Sequence, residues 1–139
     1  LTHRLNLNDF VIIKDNHLKL LQSDIKRALM YSTYSKYIEI EVEDKKEAII
    51  AATQIKKLKQ HYGNEKLFAI MFDKFDTQDI VSTIEELKNR NLLNGTLLEA
   101  SGNITPNKLA AYANTGIDLI SMGYLTNSAK SFDMSLEIM

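Results

Sequence analysis

The 139-residue sequence contains no cysteine, and this absence excludes three kinds of site at once. The chain can form no disulfide framework, no thiolate zinc site and no cysteine nucleophile. An excess of charge of one sign is also lacking, because 17 basic and 18 acidic residues give a formal net charge of -1 at pH 7. General nucleic-acid binders and membrane-surface binders carry a larger positive charge. We therefore expect neither nucleic acid nor membrane among the partners of this chain.

Long apolar runs are missing as well, and none approaches the ~20 residues that a membrane-spanning helix needs. No signal peptide is recognisable, because residues 1–4 lead almost directly into a strand candidate. Hydrophobic residues make up 45% of the chain and charged residues 25%, which is typical of one globular domain. We therefore expect a soluble, cytoplasmic protein. Because the sequence also lacks an initiator Met, we expect it to be a fragment of a longer chain.

Five short apolar segments, each followed by polar residues, predict β-strands. These segments are residues 10–14, 37–42, 67–73, 96–100 and 118–123. Helical patterns lie between them, with start signals at Ser23 or Asp24, Asp44, Asp76 or Thr77, and Thr105-Pro106. Alternating strands and helices predict a parallel sheet with right-handed crossovers. Two architectures fit this α/β pattern, an open doubly wound sheet and a large part of a β/α barrel.

The second strand candidate carries acidic residues on one face. Side chains alternate along a strand, so Glu39, Glu41 and Glu43 lie on the face opposite to three aliphatic residues. A central strand of an open sheet is apolar on both faces, whereas a barrel strand can turn one face toward the lumen. An edge strand with a solvated acidic face is the alternative interpretation.

The residues just after each strand are the candidates for chemistry, because active sites in α/β folds lie at the carboxyl ends of the strands. The first strand is followed by Lys14-Asp15-Asn16-His17, which brings an ammonium, a carboxylate, an amide and an imidazole to this edge. Asp73, after the third strand, could hold Mg²⁺ or sugar hydroxyls. An ordinary solvated turn remains the alternative at both positions.

Two turns contain small residues that could approach a phosphate. In Ser101-Gly102-Asn103, glycine permits close contact with backbone, and the predicted helix after Thr105 would offer free N–H groups. Gly123 could form a second wall of the same site. A plain strand-to-helix turn is the alternative interpretation. No Walker loop, Rossmann glycine fingerprint or HExxH motif is present to indicate another chemistry.

An ordered set of segments resembles the quinolinate phosphoribosyltransferases, also called carboxylating nicotinate-nucleotide pyrophosphorylases. The segments are His3-Arg4, Lys14-Asp15-Asn16-His17, Glu39-Ile40-Glu41-Val42-Glu43, Phe72-Asp73-Lys74-Phe75, Leu98-Glu99-Ala100-Ser101-Gly102-Asn103-Ile104, Gly116-Ile117-Asp118 and Met122-Gly123-Tyr124-Leu125-Thr126. Each segment alone is weakly specific, but their order and approximate spacing agree from end to end of the chain.

The resemblance implies a particular barrel and a particular assembly. It implies an incomplete, seven-stranded type II phosphoribosyltransferase barrel, of which residues 1–139 supply about five β/α units as the C-terminal part. The family's N-terminal α/β sandwich domain and first barrel strands would then lie outside this sequence. Family members are homodimers in which the neighbouring subunit completes each site.

The resemblance also implies a reaction and a set of residue roles. Quinolinate and phosphoribosyl pyrophosphate would give nicotinate mononucleotide, pyrophosphate and carbon dioxide, with Mg²⁺ as cofactor. The implied catalytic residues are Lys14, Glu41 and Asp73, and quinolinate would be bound by His3, Arg4 and Lys14. Phosphoribosyl pyrophosphate would be bound by Glu41, Asp73, Ser101, Gly102, Asn103, Met122, Gly123, Tyr124 and Asn127. Mg²⁺ would be held by Glu41 and Asp73, directly or through water.

The sequence departs from the family pattern at three positions. Asn127 stands where the family usually has His, Lys74 where it has Asn, and Asn103 where it has the second glycine of a Ser-Gly-Gly turn. Asn127 cannot carry charge, Lys74 adds a cation beside Asp73, and Asn103 can still adopt a positive φ. Two other functions remain alternatives: a related molybdenum-transport-associated barrel protein with a different substrate, and a non-catalytic five-stranded binding domain.

Overall fold

The computed structural model describes residues 10–127 and positions 134 and 136, so His3 and Arg4 lie outside the described residues. The strands are β1 (Phe10–Ile13), β2 (Tyr37–Val42), β3 (Leu67–Asp73), β4 (Thr96–Ser101) and β5 (Leu119–Ile120). The helices are α1 (Asp15–Leu20), α2 (Ile25–Tyr31), α3 (Lys45–Tyr62), α4 (Thr77–Asn89), α5 (Leu109–Tyr112) and α6 (Tyr124–Asn127), with 3₁₀ turns at Ser32–Tyr34 and Pro106–Lys108.

The five strands form one parallel sheet in the order β1-β2-β3-β4-β5. Every right-handed crossover therefore advances the sheet in the same direction, and all helices fall on the same face. A doubly wound sheet requires the order to reverse at a switch point, and this order does not reverse. The structure thus decides between the two predicted architectures in favour of an arc of a β/α barrel.

The helix-covered face of the sheet forms the hydrophobic core. Ile38, Ile40 and Val42 of β2 are fully buried there, as are Phe68 and Phe72 of β3. Half of the buried side chains on α3 are alanines, which lets this part of the helix lie close to the strands. The buried residues of α3 are Ala48, Ala51, Ala52, Gln54, Ile55 and Leu58. The opposite face of the sheet is mixed, with Glu39, Glu41 and Glu99 beside the buried Ala69 and Met71.

Three of the four helix starts predicted from capping residues are confirmed. Asp24 accepts a hydrogen bond from the N–H of Arg27, and Asp76 accepts one from the N–H of Asp79. Asp44 likewise caps α3 by accepting from the N–H of Glu47, but the side chain of Glu47 accepts from the N–H of Glu43 and not from that of Asp44, so the reciprocal capping box is incomplete. Capping depends on residues three positions apart, so it is readable from the sequence.

Several predicted boundaries were wrong. The segment after β1 is neither an extended strand tip nor a solvated loop: β1 ends at Ile13 and α1 begins at Asp15. An ion pair at 2.7 Å between Asp15 and Lys19, one helical turn apart, and the buried side chain of Leu18 stabilise this short helix. The last strand is shorter than predicted and spans only Leu119–Ile120.

None of the helices in the described part of the chain combines the length and the hydrophobicity that a membrane span requires.

Candidate active site

Lys14 and Glu41 form an ion pair at the carboxyl edge of the sheet. Nζ of Lys14 lies 2.7 Å from Oε2 of Glu41, and the backbone N–H of Lys14 donates to Nδ1 of His17 at 3.0 Å. The hydrogen bond to Glu41 raises the pKa of Lys14; burial opposes this effect, and the charges of Glu41, Asp73 and Glu39 add to it. Lys14 is therefore an ammonium at neutral pH. Its side chain is half exposed, so it is accessible to an anionic ligand.

Asp73 ends β3 and lies against the turn that follows β4. It is paired in register with Ser101, and the N–H of Lys74 donates to the carbonyl of Ser101 at 2.9 Å. Gly102 has a φ of +89°, and a Cβ there would lie 2.7 Å from Oδ1 of Asp73 and 2.6 Å from Cγ of Lys74. Only glycine allows the ends of these two strands to approach so closely.

Lys74 covers Asp73 from the solvent side. Its Nζ lies 2.8 Å from Oδ2 of Asp73, whose side chain is only 14% exposed, whereas that of Lys74 is 66% exposed. The hydrogen bond to Asp73 and the charge of that carboxylate raise the pKa of Lys74, with smaller contributions from Glu41 and Glu43. The edge therefore holds two lysines, each paired with a carboxylate from the end of β2 or β3.

A buried pair of acidic side chains, Glu39 and Glu99, lies deeper on the same face of the sheet. Glu99 accepts a hydrogen bond from the hydroxyl of Ser121. Glu39 is 2% exposed, and its Oε1 has no hydrogen-bond partner in the described part of the chain. Burial, followed by the charge of Glu99 and a hydrogen bond with it, raises the pKa of Glu39 to about 8. Glu39 thus holds a proton under conditions in which an exposed carboxyl group does not.

The stability of the fold is expected to fall as the pH rises from about 5 to about 8, because of Glu39. The raised pKa means that the native state binds this proton more tightly than the unfolded state. The stabilisation is therefore full below the ordinary pKa of about 4.5 and is lost as the pH rises through about 8. Urea unfolding across this range should show a smaller pH dependence for Glu39→Gln. The exposed Glu43→Gln is the control, and identical profiles for Glu39→Gln and the unchanged chain would contradict the prediction.

The turn after β5 has the second set of predicted phosphate-binding residues. The N–H groups of Thr126 and Asn127 donate to the carbonyl of Gly123 at 3.1 and 2.8 Å, which closes the single turn of α6. Met122 precedes this turn, and Tyr124 begins its helix. Parallel pairing of β4 with β5 places the turn at the same edge of the sheet as Ser101. Asn127 lies beside Gly123, whose Cβ position would be 3.4 Å from Nδ2 of Asn127.

The helix start that was predicted to bind phosphate after Gly102 is not formed as expected. Thr105 is followed by a 3₁₀ turn at Pro106–Lys108 and then by α5, which has only four residues. So short a helix has little macrodipole to attract an anion. A ligand at this turn would instead meet the backbone of Gly102 and of Asn103, which has a positive φ of 54°.

The sequence model of the family described as "Quinolinate phosphoribosyl transferase, C-terminal domain" matches residues 1–137. The chain belongs to this family.

Curated members and solved structures of the family are similar to the chain over nearly its full length. It is 35% identical over 140 residues to the probable nicotinate-nucleotide pyrophosphorylase (carboxylating) of Methanothermobacter thermautotrophicus. The aligned region covers 99% of this chain and 46% of that protein. The protein of the same name from Methanocaldococcus jannaschii is 36% identical over 142 residues, with coverages of 99% and 46%. The structure of NadC from Streptococcus pyogenes superposes with a TM-score of 0.69 at 31% identity, covering 97% of this chain and 43% of that one.

These similarities confirm the resemblance that the ordered segments indicated, and they confirm the predicted barrel class. The chain spans about half the length of the curated relatives that it matches. Neither the molybdenum-transport-associated protein nor a non-catalytic binding domain is favoured, because the relatives are named as pyrophosphorylases.

The family's implied Mg²⁺ can be tested against the donor atoms at this edge. The described residues contain no group of three or more His, Asp or Glu side chains arranged to hold a metal ion. Among the carboxylates at the edge, Glu41 and Asp73 each have one oxygen paired with a lysine. Mg²⁺ commonly binds through one or two carboxylates together with waters and substrate phosphates. The residues therefore fit a Mg²⁺ ion that completes its coordination with water or with substrate phosphate, and not an all-protein cage.

The structure brings together part of the site that the family resemblance implies. Lys14 contacts Glu41, and Asp73 contacts Lys74 and the Ser101-Gly102 turn, all at one edge of the sheet. Sequence reasoning did not include Glu39 and Glu99 among the site residues. The alternation in β2 was a signal that Glu39 shares the face of Glu41, but its proximity to Glu99 depends on how three strands pair.

Proposed function

We propose that the chain forms the C-terminal part of the barrel of a quinolinate phosphoribosyltransferase. The enzyme would transfer the phosphoribosyl group to quinolinate and release pyrophosphate and CO2, giving nicotinate mononucleotide for NAD synthesis. The observation that carries this proposal is the convergence of Lys14, Glu41 and Asp73 at one edge of the sheet, in a chain whose relatives are named for this reaction.

Lys14 is suited to bind the dianionic pyridine. Its side chain is half exposed, so the ammonium can contact a quinolinate carboxylate while Glu41 fixes its position. His3 and Arg4 would supply further positive charge for the second carboxylate. A pyridine held in this way presents its ring nitrogen to the anomeric carbon of the ribose.

Glu41 and Asp73 are suited to bind the ribose and to stabilise the charge that develops there. The bond from the anomeric carbon to pyrophosphate breaks as the bond to the ring nitrogen forms, and positive charge develops on the ribose. Fixed carboxylates close to that carbon favour this charge. When the adjacent carboxylate then departs as CO2, its bonding electron pair stays on the ring carbon as a carbanion, which the positive charge of the quaternised nitrogen stabilises, and a proton adds to that carbon.

The two turns would hold the phosphates of the substrate. The backbone at Ser101, Gly102 and Asn103 forms one side of this cradle, because Gly102 has no side chain to prevent close approach. Met122, Gly123, Tyr124 and Asn127 would form the other side. Mg²⁺, held by Glu41 and Asp73 directly or through water, would neutralise the charge of the departing pyrophosphate.

The assembly follows from the same assignment. The N-terminal sandwich domain and the first barrel strands would come from outside residues 1–139, in a cytoplasmic homodimer whose second subunit completes each site. The match to a domain described as C-terminal, and relatives about twice as long, support the presence of an N-terminal part outside these residues.

The whole natural chain, incubated with phosphoribosyl pyrophosphate, Mg²⁺ and quinolinate labelled in its 2-carboxylate, is expected to release labelled CO2 and to form nicotinate mononucleotide in equal amounts. Chromatography of the nucleotide and trapping of the gas measure the two products. Nicotinate in place of quinolinate is the control, because it has no carboxylate to lose at that position. Absence of the nucleotide with quinolinate would refute the proposal, and calorimetry with other anions would then test the molybdenum-transport alternative.

A further inference from the structure

The backbone at Lys74 has a conformation that does not suit lysine. Its φ is +59°, in the left-handed region that glycine and asparagine adopt more readily. The N–H of Lys74 donates to the carbonyl of Ser101, and Gly102 lies directly against both its backbone and its Cγ. The junction between the ends of β3 and β4 therefore imposes this conformation. A lysine here costs stability relative to asparagine.

The ammonium of Lys74 is paired with the carboxylate oxygen of Asp73 that does not face Gly102. Oδ1 of Asp73 faces the turn at Gly102, where a Cβ would lie only 2.7 Å away. Oδ2 is the oxygen that Nζ of Lys74 contacts at 2.8 Å, and Lys74 itself is mostly exposed. A cation that approaches Asp73 from solvent thus meets the ammonium of Lys74 at the oxygen that it would bind.

The electrostatic environment draws both kinds of cation to the same place. Glu41 and Glu43 act on the ammonium of Lys74 in addition to Asp73. The same carboxylates would attract a divalent ion held by Glu41 or Asp73, directly or through water. An ammonium at this point makes the electrostatic potential less negative, and this weakens the attraction for a divalent ion.

We propose that Lys74 is a resident counter-cation of Asp73 that competes with the divalent metal ion at this edge of the barrel. The inference rests on the proposed function, because that function assigns the metal to Asp73 and Glu41. It makes Lys74 a positioning residue: Asp73 stays fixed and charge-balanced in the free enzyme, and the metal enters only when Lys74 swings away. Exposed ion pairs contribute modestly, so the competition is expected to change metal affinity by about fivefold.

The test is a titration of the whole natural chain with Mn²⁺, followed by water-proton relaxation at constant ionic strength and without substrate. Lys74→Asn and Lys74→Met are both expected to lower the dissociation constant for Mn²⁺ by about fivefold. Lys74→Met retains the left-handed strain, whereas Lys74→Asn relieves it, so agreement between the two variants separates charge from backbone conformation. Lys19→Met is the matched control, because it removes a lysine paired with Asp15 at 2.7 Å.

Four results would overturn the inference: unchanged affinity in both Lys74 variants, weaker Mn²⁺ binding in either of them, the same gain in Lys19→Met, or no Mn²⁺ binding to any of the proteins. The turnover assay distinguishes its failure from that of the proposed function. Turnover of quinolinate by the natural chain together with unchanged affinity in the variants refutes only the role of Lys74. Tighter Mn²⁺ binding by the variants of a chain that turns over no quinolinate refutes the phosphoribosyltransferase assignment and leaves the competition at Asp73 in place.

Discussion

Lys14→Met is expected to lower kcat/KM for quinolinate by about 10³-fold, which corresponds to about 4 kcal/mol of lost transition-state stabilisation. The ammonium of Lys14 is hydrogen-bonded to Glu41, and the charge of Asp73 also acts on it. Methionine retains most of the side-chain volume but removes the only described cation that contacts Glu41. The site would then present carboxylates to a dianionic substrate, and repulsion would replace attraction.

The measurement is initial-rate kinetics on the whole natural chain, with quinolinate and phosphoribosyl pyrophosphate varied separately. Lys19→Met is again the control, because Lys19 pairs with Asp15 and is not among the residues assigned to bind substrate. Circular dichroism of both variants checks that the fold is intact. A decrease of less than tenfold in Lys14→Met would show that this lysine is not the residue that binds quinolinate.

Gly102→Ala is expected to destabilise the fold by about 2–4 kcal/mol and to displace Asp73 from its position. The added Cβ would lie 2.6 Å from Cγ of Lys74 and 2.7 Å from the backbone nitrogen of Lys74. The lysine side chain could move, but the backbone nitrogen is held by its hydrogen bond to Ser101. The φ of +89° adds strain for any residue with a Cβ.

Gly63→Ala separates the effect of crowding from that of the positive φ. Gly63 also has a positive φ, of +59°, but a Cβ there would meet no atom within 4 Å. Gly63→Ala is therefore expected to cost only about 1 kcal/mol, with normal turnover. Chemical denaturation measures both variants, and equal losses of stability would show that the close approach of Gly102 to Asp73 is unimportant.

Local patterns made much of the fold predictable. The bounds of β2 and β3 agree with the prediction, and so do the caps Asp24, Asp44 and Asp76. Strand alternation and capping involve residues two to four positions apart, and such spacings can be read directly from a sequence. The order of the strands is not a local property, so the sequence alone could not distinguish a barrel from a doubly wound sheet.

The predictions were wrong in two segments whose local sequence pattern is weak and whose structure depends on tertiary packing. The segment after β1 has polar residues that fit a loop, yet Leu18 is buried and α1 forms around it. The last strand reads as six residues in the sequence but pairs with β4 only at Leu119 and Ile120. In both segments, contacts with neighbouring elements overrode the local preference.

The sequence by itself determined the family, the α/β class and the residues at the strand ends that could carry chemistry. Only the tertiary structure decided which of them meet: Lys14 with Glu41 across 27 positions, Gly102 with Asp73, and Glu39 with Glu99. The physical reason is that parallel register sets these distances, and a shift of one residue in pairing would turn each side chain to the other face of the sheet. The left-handed backbone at Lys74 likewise depends on the approach of β4, which no pattern within the sequence of β3 could indicate.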